Sequence, residues 1–159
     1  HRILLDLKKE AITIDMGAAK TADEAITEIE RLCSKILQLS IETEGVYVVE
    51  HLLLRPRGDD ASAEKDAFYH YRMSLVFPSW PVRFQQKGFR EQARTILSEI
   101  IPAHIRADCF WIGIEQMTVF EDNYALWMEA LRNDPLSEET SRYATVLKTL
   151  LESYDPNPV

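Results

Sequence analysis

Glu50-His51 is the one place where a carboxylate and an imidazole stand side by side in this sequence, and an adjacent acid and base are what proton transfer needs. They fall inside the most apolar run, residues 46–54, which reads as a strand, where neighbouring side chains point to opposite faces. The pair therefore does not share a site. His104, in Ile101-Pro102-Ala103-His104, stands where a helix ends and a strand begins. An imidazole there satisfies the last helix carbonyls and suits the negative end of the dipole. No Ser, Cys or Asp stands at a spacing that would support it as a catalytic base. Phe77-Pro78-Ser79-Trp80-Pro81-Val82-Arg83-Phe84 sets an aromatic and cationic group in a loop stiffened by two prolines, and Trp and Arg are enriched where proteins bind one another. Trp80 serves equally as core lining, and both readings stay open. With Arg55 and Arg57, which flank Pro56, the residues Trp80, Arg83, Phe84 and His104 make up the candidate interaction surface.

Other constellations read as structure. Cys33 and Cys109 have apolar neighbours on their own faces and belong to no CxxC pair, so both read as reduced core residues rather than zinc ligands. Met117, Phe120, Tyr124 and Trp127 recur at steps of three and four, which is a helix core stripe before it is an aromatic ligand box. The acidic loop with Asp59, Asp60, Glu64 and Asp66 lacks the central Gly and terminal Glu of a calcium loop. There is no GxGxxG, Walker loop, GxSxG or HExxH, each of which would bring phosphate, nucleophile or metal chemistry. The expectation is a protein that is not an enzyme, with no catalytic residues, no metal and no cofactor.

The elements that must carry these groups follow from periodicity. Residues 2–7 and 11–15 alternate apolar and polar around a polar turn and predict a hairpin. Thr21 and Glu24 have capping-box spacing, and Ile26, Ile29, Cys33 and Ile36 predict one buried face of a helix over residues 21–38. Residues 46–54 and 68–77 predict two strands paired as a long hairpin, the second with Tyr69, Tyr71, Met73, Leu75 and Phe77 opposite His70, Arg72 and Ser74. A helix from Gly88 to the stop at Pro102 follows, then a strand over 105–114, a helix over 116–132 and a last helix from near Ser137, with a frayed tail over 155–159. The fold class is α+β, in the order ββα then ββαβαα, a mixed sheet with helices packed mainly on one face. Residues 1–42 form the small ββα unit and 43–159 the second, packed together as one compact fragment. The start at His1 without an initiator Met reads as a cut from a longer chain.

With 159 residues, 46% of them hydrophobic and a formal charge of −8, the chain has the apolar content to fold and no basic face for nucleic acid. No apolar run approaches a membrane span, and the cysteine usage fits a protein assembled in the cytosol.

From Gly45 onward the sequence resembles the C-terminal region of large, uncharacterised bacterial proteins associated with phage-tail-like contractile injection systems. The likeness is carried by Glu44-Gly-Val-Tyr-Val-Val-Glu-His51-Leu-Leu-Leu-Arg-Pro-Arg57 and Tyr71-Arg-Met-Ser-Leu-Val-Phe-Pro78-Ser-Trp80-Pro81-Val-Arg83-Phe84. It continues through Phe89-Arg90, Ile101-Pro-Ala-His104, Trp111 and the helix of Phe120 and Leu131. The leading ββα resembles a unit that precedes this segment. The loop after Gly58 is shorter than in the family pattern. The resemblance implies a structural or assembly module of the particle, at its baseplate, whose partners are other protein subunits, and it implies no catalytic residues. Two alternatives remain at this point. One is a small-molecule- or glycan-binding domain, with hydrolysis as its extension, using His104, Arg55, Arg57 and the Trp80 loop as a cleft. The other is a regulatory domain that dimerises through an exposed strand.

Overall fold

A computed structural model describes residues 2–7, 10–15, 21–56 and 67–158. The chain divides into two compact units, His1–Glu42 and Thr43–Val159.

In the first unit, β1 (Arg2–Leu7) and β2 (Glu10–Asp15) pair antiparallel with Ile3 opposite Ile14 and Leu5 opposite Ile12, as the alternation requires. Helix α1 (Ala22–Glu42) starts where the Thr21 hydroxyl accepts the Glu24 amide at 3.2 Å, the cap read from the sequence. It runs four residues past the expected end. Its apolar face is not buried as expected: Ile26 and Ile36 are 53% and 52% exposed, and Cys33 is exposed too, which corrects the reading of that thiol as a core residue.

The second unit is built on a sheet of order β3-β4-β5-β6, with β3 (Tyr47–Glu50), β4 (Arg72–Pro78), β5 (Arg106–Ile112) and the two-residue β6 (Asn157–Pro158). β3 runs antiparallel to β4, β4 parallel to β5, and β5 antiparallel to β6. The crossover between the parallel strands carries α2 (Lys87–Ile100); α3 (Ile114–Asn133) and α4 (Glu138–Ser153) follow β5. The class is α+β, and the order differs from expectation in detail. The apolar run 46–54 is strand only to Glu50, then a 3-10 turn over His51–Leu54 with His51 and Leu54 buried. β4 begins at Arg72 because Tyr71 takes a left-handed backbone, φ 52°, which breaks strand geometry. Residues 157–158, expected to fray, pair with Cys109 and Asp108 of β5.

Helices cover both faces of the sheet, α3 and α4 on one and α2 alone on the other, so the expected concentration on one face holds for two of these three helices. Val49, Val76, Phe110 and Ile112 pack with Met117, Phe120 and Trp127 of α3 and Leu147 and Leu151 of α4. Leu75, Phe77, Ala107 and Cys109 point the other way, against Phe84 and the half-buried Phe89 and Leu97 of α2. Strands apolar on both sides need cover on both sides, since leaving a Leu or Phe in water forfeits roughly 1.5–3 kcal/mol of burial. β3 lies at the edge, and its Val48 and the preceding Val46 remain 45% and 48% exposed.

Candidate functional site

The densest polar chemistry lies inside the sheet face under α3 and α4. His51, Ser74 and Asp108 are each within 1% of complete burial. Strand register places Ser74 opposite Asp108 across the parallel pair, and the 3-10 turn swings His51 beneath them. The Phe68 carbonyl lies 2.8 Å from His51 Nδ1 and accepts only, so Nδ1 carries the proton. Nε2 is then the acceptor, and the Ser74 hydroxyl donates to it at 2.7 Å. The imidazole stacks on Phe68 with centroids 4.1 Å apart. Burial, opposed by the hydrogen bond to the Phe68 carbonyl and the charge of Asp108 and reinforced by the charges of Arg72 and Lys148, pushes its pKa down to about 4. It is a neutral histidine.

Asp108 is paired elsewhere: its Oδ2 accepts from Arg72 Nη2 at 2.7 Å, and Arg106 Nε lies 3.5 Å from Oδ1. A hydroxyl on a neutral imidazole whose other nitrogen is fixed by an acceptor has the distances of a nucleophile and base. With Ser74 at 0% exposure, no substrate reaches it. The geometry therefore performs a structural task, giving His51 Nδ1, His51 Nε2 and the Ser74 hydroxyl hydrogen-bond partners in a buried interior. Sequence reasoning missed this cluster because it placed His51 in a strand and set Arg72 and Ser74 on the polar side of theirs, opposite Met73 and Leu75. The available signal was a Ser and an Asp inside strands otherwise apolar on both sides.

The residues expected to form a surface are divided between the ends of the sheet. The Trp80 loop follows the C-terminal end of β4. His104 precedes β5, which runs parallel to β4, so it lies at the opposite end, about 20 Å away along seven residues of strand. His104 is exposed there, its ring edge-on to Tyr71 at 5.9 Å. Arg55, half-buried, follows the 3-10 turn at that same end. Arg57 lies outside the described residues, as does the acidic loop. The cleft that would join His104 and Arg55 to the Trp80 loop is thus not formed.

Within the loop, Trp80 is half-buried, packs on the α3/α4 core and donates Nε1–H to Thr43 Oγ1 at 3.1 Å. Arg83 is exposed and pairs with Glu44 at 3.3 Å. Phe84 does not belong to a surface: it is 6% exposed, stacked on Phe89 at 4.9 Å and edge-on to Phe77 at 6.1 Å, because the prolines turn the loop back onto the α2 face. Cys109, by contrast, is buried, and burial pushes its thiol up to about 11.

At the His104 end, Leu52, Tyr69, Tyr71, Met73 and Ile105 line an apolar cavity of about 340 Å³ with Glu50 and Arg72 at its margin. Among the described residues no group of three or more His, Cys, Asp or Glu side chains is arranged to hold a metal ion, and no helix is long and apolar enough to cross a membrane. No family model matches the chain, and no curated protein matches it.

Proposed function

We propose that this chain is a non-enzymatic structural or assembly module of a contractile, phage-tail-like injection particle, placed at its baseplate, assembled in the cytosol and acting through contacts with other protein subunits. The observation that carries the reading is the edge of the second unit. Among the described residues β3 pairs only with β4, and beside its open edge Val46, Val48, Leu52 and Leu53 are all exposed. An open edge with apolar side chains along it is what a protein partner covers. The closed polar core and the likeness of residues 44–57 and 71–84 to tail-associated proteins support the same conclusion. The net charge of −8 opposes a nucleic-acid partner.

The test is affinity capture of the tagged full-length protein from cells producing the particle. Sheath, tube or baseplate proteins should co-purify, and Val48→Lys should weaken the capture. Consistent absence from purified particles would end the proposal. The apolar cavity beside Tyr71 favours a second reading, a small-molecule-binding domain, since its size and two tyrosines suit a compact ligand. That reading predicts a thermal shift with aromatic or glycan fragments that Met73→Trp abolishes.

A further inference from the structure

On a chain of net charge −8, the face of α2 turned toward β5 is cationic. Lys87, Arg90 and Arg94, spaced three and four residues apart, line a cavity of about 220 Å³ with Trp111 and Cys109. Arg90 is held in place: its Nε donates to the Phe84 carbonyl, and its guanidinium lies 4.6 Å from the centroid of Trp111, a ring itself stacked on Phe77 at 4.4 Å. That uses one of five guanidinium donors, and neither Nη has an acceptor among the described residues. Arg94 has no carboxylate within ion-pair distance there, although its charge reaches the Cys109 thiol. Glu91, the one acid lining the cavity, is 3.8 Å from Lys87. The first turn of α2 carries no acid, and Gln86 makes no side-chain cap, so the positive end of the helix adds to the same field.

We infer that this groove receives a carboxylate from an acidic segment of a partner protein, bidentate on the Arg90 fork and flanked by Arg94 and Lys87. A guanidinium pinned at Nε and by stacking is pre-organised for a planar two-oxygen acceptor. The cavity lies below the roughly 300–1,000 Å³ of sites for whole small ligands, so it takes a side chain rather than a cofactor. The source of the carboxylate rests on the protein-interaction reading above.

The test is isothermal titration of the 159-residue chain with an acetylated tetraglutamate peptide, and in separate arms with succinate and inorganic phosphate. The peptide should bind, lose affinity in high salt, and bind about tenfold more weakly to Arg94→Ala and to Arg90→Lys, which keeps the charge and removes the fork. Circular dichroism confirms that these variants fold, and exposed Arg94 supplies the readout if Arg90→Lys does not. Absence of peptide binding, or equal binding to both variants, overturns the inference. Succinate matching the peptide overturns the protein source, and phosphate outcompeting both assigns a phosphate site instead. Peptide titration and particle capture are separate readouts, so this inference and the assembly role fail independently.

Discussion

Ser74 and His51 meet at the distance of a nucleophile and its base, and the interior around them turns that geometry into a pH sensitivity of stability. His51 holds its pKa near 4 in the folded chain, against about 6.5 when unfolded. Between those values the unfolded state binds the proton and the folded state does not, so stability rises with pH across that window and falls on acidification, by roughly 3 kcal/mol in all. Urea unfolding at about pH 7 and about pH 4.5 should show this loss, and His51→Gln should remove much of the pH dependence while lowering stability at both. Arg72 and Asp108 form the second residue-scale unit. Arg72→Met should cost about 3 kcal/mol by leaving the Asp108 carboxylate buried with only Arg106 nearby. Adding Asp108→Leu should recover part of that, which a double-mutant cycle reads directly. None of this was legible at residue scale from sequence: the partners of His51 lie seventeen and twenty-three positions away, and local spacing carries no record of such contacts.

The helices were the most legible elements, because a 3.6-residue stripe and a cap are both local signals. Ser137 shows it: its hydroxyl accepts the Thr140 amide at 3.1 Å and opens α4 one residue later, as its position implied. Ser137→Ala should lower stability by about 1 kcal/mol, seen as a lower thermal midpoint with unchanged helical content. The strands were legible in position and poorly in extent. Apolar alternation runs on past Glu50 and begins before Arg72, but the 3-10 turn and the left-handed Tyr71 cut both strands short. What ends them is tertiary, the need to bring His51 and Leu54 under the sheet. The strand over 105–114 is apolar on both sides in the sequence, yet the expectation kept the helices mainly on one face. The meaning of that pattern depended on where α2 would go, which no periodicity states.

Among the described residues, every buried residue of the two cores belongs to the unit Thr43–Val159. A chain of residues 43–159 alone should therefore unfold cooperatively with an unchanged denaturant dependence of its core signal, and loss of that cooperativity would show that the first unit is needed for the second to fold. The proposed assembly role rests on the surface of this larger unit. One consequence of its topology concerns the order of synthesis. β5 receives its second neighbour only from Asn157 and Pro158, after two complete helices have been made. A ribosome that has delivered α3 and α4 but not those residues holds a nascent sheet with the Asp108–Cys109 edge open. During that interval the chain is most adhesive, and most dependent on chaperone shielding.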